Sequence, residues 1–350
     1  MPPGFRHSLA REFRRFAEVE CETSVLYRRL ASAVAEDPDI LALAAFAGAG
    51  QPEPNLLFAA VHFLLLGGAP HPLAKFYPTV AGEGALEGDP SPAFRAFCRE
   101  QRPALEALLA QRRVQTNEVG RAAVLLPGLA WTAEKAGGRA LALIDVGASA
   151  GLLLHFDRYR YLYGSKKALG PRESAVVIRC ETRGGLFPLP EEMPDVASRV
   201  GIDTHPISPR DPREALWLRG LVWGDQPERL RRLDAALALA VSDPPRLVSG
   251  NAAELLPALL RDLPREVVPC VFHSHAFNQF PGEARERFVR VLEAASEDRE
   301  LYRLSFENSG SAHALSSSRF HHGRQTDEWQ LADCQAHGGW IEWQQHPAAQ

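Results

Sequence analysis

The spacing of apolar residues divides the chain into a helical part and a part in which strands and helices alternate. From about Phe5 to Gly138, apolar residues recur every three or four positions, and Pro and Gly clusters separate the stretches, which predicts successive helices. After Gly138, short branched apolar runs alternate with amphipathic stretches, which predicts repeated β-α units and a mostly parallel sheet. We therefore expect an all-helical N-terminal cap over residues 1–138 and an α/β domain over residues 139–350.

Several features of the α/β part are specific enough to be tested. The strands are predicted at Ala140–Val146, Ser174–Glu181, Val196–Asp203, Leu247–Gly250, Val267–Phe272 and Leu301–Phe306. A C-terminal β-hairpin is predicted from Glu328–Gln335 and Gly339–Gln344, which flank a glycine pair. The polar segment Ser309–Arg324 is predicted to be a mobile loop.

The stretch Ala140–Leu154 changes from strand to glycine turn to helix, so we expect a ligand there. Asp145 lies at the end of the strand, and Gly147 and Gly151 permit a close backbone approach or backbone angles that other residues resist. The helix is predicted over Ala150–Tyr163, with unpaired N–H groups at its start that face the turn.

Four interpretations of this turn are open. The dinucleotide fingerprint requires glycine where this chain has Ser149 and Leu152, so nicotinamide binding matches poorly. The G-x-S-x-G nucleophile elbow fits letter for letter, with Ser149 as the nucleophile. The acid-x-Gly-x-Gly-x-Gly loop of class I methyltransferases is similar at Asp145, Gly147 and Gly151, with Ser149 in place of the middle glycine. An ordinary strand-to-helix turn is the fourth interpretation.

The order of the predicted elements favours the methyltransferase interpretation. An α/β-hydrolase has several strands before its elbow, whereas the sequence upstream of this turn is helical. Five strand-helix steps closed by a hairpin resemble the class I methyltransferase (Rossmann-like) sheet, whose final strand is antiparallel. The expected fold class is therefore α/β, with a mostly parallel sheet, a C-terminal β-hairpin and the helical N-terminal cap.

Composition narrows the class of protein without identifying a substrate. With 45% apolar and 23% charged residues the chain is typical of soluble globular proteins, and a net charge of −4 gives no overall attraction to nucleic acid. The five cysteines are scattered and form no C-x-x-C pair, which favours a reducing cytoplasm. The longest apolar run is too short to span a bilayer, so no membrane insertion is predicted.

Several segments together resemble an uncharacterised bacterial family, domain of unknown function 2332, which is regarded as methyltransferase-like. The resemblance runs from about Phe5 to Trp343 and includes the segments RVQTNEVGR, DVGASAGLLLHFDRY, SRVGIDTHPISPRD, VWGDQPERLRRL, SGNAAELLPAL and VVPCVFHSHAFNQF. The wider methyltransferase group implies S-adenosylmethionine as cofactor, bound at the carboxyl ends of the strands.

This resemblance implies a set of cofactor-binding residues. Residues of the turn would lie against the methionine part, with Asp145 near its ammonium group. Asp203 would accept the ribose hydroxyls, and Glu181 is the rival for that role because it also ends a strand. Asn251 would accept a hydrogen bond from the adenine amino group. The cofactor-binding set is Asp145, Gly147, Ala148, Ser149, Gly151, Asp203, Asn251 and Ala252.

A second set is expected to bind the methyl acceptor. His273 and His275 end the fourth core strand, where a neutral imidazole can act as general base. The polar residues Asn117, Glu118, Arg121, Asn278 and Glu307 are predicted to surround a small polar substrate. The alternative for the piece around Asn117 is that Thr116 or Asn117 simply caps the following helix.

Three other possibilities complete the sequence-based interpretation. A serine hydrolase would require His273 or His275 to reach Ser149. A binding protein that keeps the fold without catalysis cannot be distinguished by sequence from an enzyme of unknown substrate. No metal site is predicted, because the spacing of the available side chains matches no zinc pattern; these are His313, His321, His322, Cys334 and His337.

Overall fold

The computed structural model describes residues 3–115, 117–164, 167–185, 187–310 and 313–344. The chain forms two compact units. The helical unit comprises Met1–Thr116 and Arg210–Asp234, and the sheet unit comprises Asn117–Pro209 and Ala235–Gln350. This division differs from a single boundary at residue 138, because residues 117–138 pack with the sheet and residues 210–234 pack with the helices.

The α-helices are numbered along the chain. They are α1 Pro3–Arg15, α2 Val25–Ala35, α3 Pro38–Ala44, α4 Glu53–Leu66, α5 Pro78–Ala81, α6 Ser91–Glu100, α7 Arg102–Gln111, α8 Ala122–Lys135, α9 Pro212–Gly220, α10 Pro227–Ser242, α11 Ala252–Arg261 and α12 Gly282–Ala295. Helix α4 is apolar on all sides and forms the centre of the helical unit, where Phe58 contacts Phe13, Phe16 and Tyr27.

The strands of the described residues form one eleven-stranded, mostly parallel sheet, in the order β3-β2-β4-β11-β10-β9-β8-β7-β1-β5-β6. They are β1 Leu141–Val146, β2 Arg160–Tyr163, β3 Lys167–Leu169, β4 Val177–Arg183, β5 Val196–Asp203, β6 Arg246–Ser249, β7 Val268–Ser274, β8 Leu301–Asn308, β9 His313–His321, β10 Arg324–Cys334 and β11 Trp340–Trp343.

The centre of the sheet is a parallel block of five strands, β6-β5-β1-β7-β8. All six residues of β1 are buried, as expected for a strand covered on both faces. Helix α8 covers this block closely, because Gly128 lies where an added Cβ would come within 2.9 Å of Leu304. This packing places residues 117–138 in the sheet unit.

The predicted helix over Ala150–Tyr163 is wrong. A short 3-10 segment, Leu152–Arg158, is followed by β2, and His155 has non-helical backbone angles. The cause is the alternation of Tyr159, Tyr161 and Tyr163, which are all buried and point to one side, as in a strand. The hydroxyl groups of Tyr159 and Tyr161 donate hydrogen bonds to carbonyl groups of the 3-10 segment, which fixes it against the strand.

The C-terminal part of the sheet contains one confirmed and one incorrect prediction. The predicted hairpin is present, since β10 and β11 pair antiparallel with Ala332 opposite Trp343. The predicted mobile loop Ser309–Arg324 is wrong over most of its length, because β9 pairs with both β8 and β10. Leu315 and Phe320 are buried on this serine-rich strand. Ser311 and Ala312 lie outside the described residues.

Membrane spanning was also tested. Within the described ranges, no helix combines the length and the apolar composition that are needed to cross a bilayer.

Candidate functional site

The carboxyl edge of β1 and β7 is a topological switch point. From β1 the next core strands are added on one side as β5 and β6, whereas β7 and β8 lie on the other side. Open parallel sheets bind ligands at such a point. Two turns meet there, the glycine loop (residues 147–151) and the histidine turn (residues 275–279). They are so close that a Cβ on Gly147, at φ +81°, would lie 2.5 Å from the Cβ of Ala276.

The backbone N–H groups of the glycine loop are used within the protein. Gly147 and Ala148 donate to the carbonyl of Ile202, Ser149 to a carboxylate, Ala150 to an amide, and Gly151 to Ala148. The expectation of unpaired N–H groups at the start of the predicted helix is therefore wrong for Ala150 and Gly151. Phosphate cradles depend on available N–H groups, so this loop is poorly suited to a phosphate.

Asp203 holds the glycine loop in place from the end of β5. Its Oδ2 accepts the N–H of Ser149 at 2.8 Å, and its Oδ1 accepts the N–H of His205 at 2.8 Å. Asp203, the predicted acceptor of the ribose hydroxyls, therefore also fixes the backbone of the glycine loop. Its rival Glu181 lies on β4, which β11, β10, β9, β8 and β7 separate from β1, so Glu181 is remote from this edge.

Asp145 is a buried acid that the protein only partly satisfies. It is 2% exposed, and among the described residues its Oδ2 has no hydrogen-bond partner. Burial raises the pKa of Asp145 well above its ordinary value, and the negative charge of Asp203 raises it further. A buried carboxyl oxygen without a partner is costly, so this atom is a candidate contact for a cationic or hydrogen-bond-donating ligand.

Ser149 has the strained backbone of a nucleophile elbow but not the partner. Its φ is +49°, and its Oγ accepts a 2.6 Å hydrogen bond from the Nδ2 of Asn117. An amide cannot take up the serine proton as a general base does. Asn117, predicted to contact substrate or to cap α8, instead bonds the glycine loop through both Ser149 and Ala150. Thr116, the other predicted cap, lies outside the described residues.

His273 is not placed to act as a general base, which corrects its predicted catalytic role. Its Nδ1 lies 2.7 Å from the Oε1 of Glu307, and its Nε2 accepts the Nε–H of Arg303 at 2.9 Å. Both ring nitrogens are therefore occupied, and the side chain is fully buried. Burial lowers the pKa of His273. This histidine is a structural link between β7 and β8.

Glu307 holds the histidine turn as Asp203 holds the glycine loop. It accepts the N–H groups of Ala276 and Phe277 at 3.0 and 2.9 Å, and that of Asn278 at 3.3 Å. Burial raises the pKa of Glu307, but the hydrogen bond from His273 and these backbone contacts outweigh it and leave the pKa lowered. Glu307 thus faces the backbone rather than a substrate. The side chain of Asn278 is exposed and donates to the carbonyl of Asn308.

His275 is the predicted catalytic residue that remains available. It has φ +54°, and its ring lies 4.9 Å from the ring of His313. Among the described residues, the buried Nε2 of His275 and the buried Nδ1 of His313 have no hydrogen-bond partner. Burial, followed by the positive charge of Arg121, lowers the pKa of His275 to about 3 and also lowers the pKa of His313.

Glu118 and Arg121 are buried rather than in bulk solvent, and Arg121 reaches the residue before His275. They are 5% and 7% exposed. Arg121 donates from Nε to the carbonyl of Ala336 at 3.1 Å and from Nη1 to the carbonyl of Ser274 at 3.3 Å. The Oε2 of Glu118 lies 3.8 Å from the Nδ1 of His337. Together with Asn117, these residues connect the glycine loop with the end of β7.

His313 and His337 are the site residues that the sequence did not assign to this edge. The sequence pattern presents them only as side chains whose spacing matches no zinc site, because it does not predict their positions in β9 and in the hairpin turn. In the described part of the chain, no three His, Cys, Asp or Glu side chains are arranged to hold a metal ion.

Asn251 and Ala252 lie at the end of β6, two strands from β1. Asn251 is exposed and caps α11 by accepting the N–H of Ala253 at 2.9 Å, whereas Ala252 is buried. The cap uses the side-chain oxygen, so the exposed amide nitrogen of Asn251 is the atom that a ligand would meet.

The chain is an α/β protein with a candidate ligand site at the switch point of its sheet. The chain matches the model of a family described as "Uncharacterized protein conserved in bacteria (DUF2332)" over residues 10–343, and it belongs to that family. Searches of curated proteins and of solved structures gave no match.

Proposed function

We propose that this protein binds S-adenosylmethionine at the glycine loop and transfers its methyl group to a small polar acceptor at the histidine turn. The single observation that carries the proposal is Asp145, a buried acid at the carboxyl end of β1, one oxygen of which has no hydrogen-bond partner in the described ranges of the chain. A cationic ligand group would satisfy that oxygen and reduce the repulsion between Asp145 and Asp203.

Charge distinguishes this cofactor from its rivals. S-adenosylmethionine carries an ammonium and a sulfonium group, and both are attracted by Asp145 and Asp203. A dinucleotide would instead place a pyrophosphate beside two carboxyl groups and next to N–H groups that are already bonded. The exposed Asn251 could contact an adenine, and a carboxylate such as that of Asp203 is suited to accept the ribose hydroxyls.

The sheet also supports the proposal. The order β6-β5-β1-β7-β8, followed by the antiparallel β9, resembles the class I methyltransferase arrangement in its parallel core and in the reversed strand beside it. Two features depart from that pattern. A 3-10 segment occupies the place of the first helix, and β2, β3 and β4 are inserted before β5.

The protein's contribution to methyl transfer would be orientation and exclusion of water. S-adenosylmethionine, held near Asp145 and Asp203, would supply an activated methyl group to an acceptor lone pair, and the electrons of the carbon–sulfur bond would stay on sulfur. The acceptor proton would leave to a base, for which His275 at the end of β7 is the candidate. A pKa of about 3 makes His275 a weak base while the site is empty.

Calorimetry with S-adenosylmethionine and with its demethylated product tests the proposal. We expect saturable binding of both, and at least about tenfold weaker binding in Asp145→Asn, since about 1.4 kcal/mol corresponds to tenfold. Asp262→Asn is the matched control, because Asp262 is exposed at the end of α11. Absence of binding by the folded wild-type protein, or equal losses in both variants, would contradict the proposal.

A non-catalytic binding protein is the second candidate, favoured by the weak basicity of His275. Binding of the cofactor without methyl transfer to any acceptor, in a screen with radiolabelled methyl groups, would support it over the enzyme.

A further inference from the structure

His275 and His313 form a histidine pair at the end of β7 and the start of β9, and the proposed function uses only His275, as a weak base. His275 follows β7 directly, His313 begins β9, and Arg121 reaches the same place from the turn before α8. The imidazole rings are 4.9 Å apart, and Arg121 contacts the carbonyl of Ser274, the residue before His275. His275 and His313 are both only partly buried.

Two ring nitrogens of this pair lack a partner. Among the described residues, the Nε2 of His275 and the Nδ1 of His313 are inaccessible and form no hydrogen bond. An unsatisfied polar atom of this kind costs about 1–3 kcal/mol. His275 also has a left-handed backbone, held by the hydrogen bond from its N–H to the carbonyl of Phe306. Strain combined with unsatisfied atoms is typical of a ligand contact.

The charges around the pair favour a negative ligand. The groups that face it are Arg121, Glu307, His337 and, next to His337, Glu118. Glu307 is occupied by His273 and by three backbone N–H groups, and Glu118 accepts the N–H of Gly120. Arg121 lowers the pKa of each histidine more than Glu307 raises it, so the charge of Arg121 outweighs that of Glu307 at the pair.

We propose that His275, His313 and Arg121 bind an anionic group, a carboxylate or a phosphate, carried by the acceptor. The guanidinium of Arg121 supplies a fixed positive charge, and the two imidazoles supply N–H donors whose tautomers adjust to the ligand. The anion site stands on its own geometry, whereas its assignment to a methyl acceptor rests on the proposed function.

Binding of the anion changes the chemistry of the pair. A negative charge between the rings favours the imidazolium form and raises the pKa of both histidines. The protein therefore takes up protons when the anion binds below neutral pH. At a pH above the raised pKa, where the ring of His275 stays neutral, the same effect makes it a stronger base, which connects recognition of the anion with removal of the acceptor proton.

The test uses the full chain with two probes, inorganic phosphate and acetate, at pH 6. Calorimetry in two buffers with different ionisation enthalpies measures affinity and proton uptake together. We expect one of the probes to bind with uptake of protons, and the double variant His275→Gln/His313→Gln to bind it at least tenfold more weakly. The matched control is His322→Asn, because His322 is exposed in the β9–β10 turn at the opposite end of β9.

Titration of the histidine ring signals by nuclear magnetic resonance gives a second readout on the wild-type protein. Each probe that binds should raise the pKa of His275 and His313 and leave that of His322 unchanged. Binding of neither probe, or binding that the double variant retains, would overturn the proposal. If S-adenosylmethionine binds tightly but neither anion binds, the anion site is contradicted and the proposed function stands. If an anion binds but S-adenosylmethionine does not, the proposed function is contradicted and the anion site stands.

Discussion

The glycine loop and the histidine turn are fixed in the same way, but the side chain that is available to a ligand is an acid at the first and an imidazole at the second. In each, one carboxylate from a neighbouring strand accepts backbone N–H groups and fixes the turn: Asp203 for the first and Glu307 for the second. Beside each turn, one side chain keeps a buried atom that has no hydrogen-bond partner among the described residues. Next to the glycine loop it is an acid, Asp145 at the end of β1, and in the histidine turn it is an imidazole, His275.

This difference indicates a division of roles between the two turns. Asp203 and Glu307 make the two turns rigid. A ligand that binds to a fixed backbone loses little free energy to ordering of the site. The unpartnered groups provide selectivity, with an acid for a cationic ligand and imidazoles beside Arg121 for an anionic one. Substitutions at Asp203 and Glu307 should therefore reduce stability, and substitutions at the unpartnered groups should change binding.

The largest effect is expected for Glu307→Ala. This change leaves His273 and three backbone N–H groups without their acceptor in a buried place, which typically costs about 3–5 kcal/mol. Urea denaturation measures the free energy of unfolding. Asp203→Ala should cost less, about 1–2 kcal/mol, because Asp203 is half-buried and holds two N–H groups. Equal losses of unfolding free energy in Glu307→Ala and Asp203→Ala would contradict this difference between the two carboxylates.

Asp145→Asn should have the opposite sign, with a gain of about 1–3 kcal/mol in unfolding free energy at alkaline pH. Because the folded pKa of Asp145 is raised, the wild type binds more protons when folded. Its stability therefore falls as pH rises from about 3.9, the ordinary value, to the raised pKa, and is constant above it. The variant does not lose stability in this way. The free energy of unfolding, measured from pH 4 to 9, should therefore be higher in the variant by an amount that increases with pH.

His275→Gln should change the acid side of the stability profile by a smaller amount. The folded pKa of His275 is about 3, below its ordinary 6.5, so the unfolded chain binds more protons between these values. The wild type therefore loses stability as pH falls through this window, with a slope of at most about 1.4 kcal/mol per pH unit from this group. The variant should have a shallower slope. An unchanged slope would mean that His275 is not buried neutral.

Ser149→Gly should have the smallest effect, within about 1 kcal/mol. Glycine adopts the positive φ of this position without strain, which offsets loss of the hydrogen bond from Asn117. Cofactor affinity measured by calorimetry should stay within about threefold, because the loop backbone is kept. If Ser149 were a nucleophile, labelling by a fluorophosphonate probe would occur in the wild type and disappear in this variant.

The sequence predicts where the site lies better than what each residue does there. Strand ends carry Asp145, Asp203, His273 and Glu307, and parallel strands bring their carboxyl ends to one edge, so this neighbourhood follows from the pattern alone. Whether a carboxylate faces a ligand or a backbone N–H group depends on partners far along the chain. The contact of Glu307 with His273, for example, joins residues 34 positions apart.

The two incorrect elements have local causes. Leu152, Phe156 and Tyr159 fit helical spacing, but Tyr159, Tyr161 and Tyr163 also fit strand spacing, and the buried tyrosine side decides the outcome. Strand β9 is rich in serine and has few apolar residues, so its pairing with strands on both sides, rather than its own pattern, gives it order.

The contact between Arg121 and Ala336 also affects when the site can form. These residues are 215 positions apart, and Gly338 lies where an added Cβ would come 2.1 Å from the carbonyl oxygen of Gly120. During synthesis on the ribosome, the turn before α8 therefore emerges long before the hairpin that supports it. At about 5–20 residues per second, the growing chain spends some 10–40 s without that support. Residues 117–121 therefore reach their final packing only after the hairpin has been synthesised.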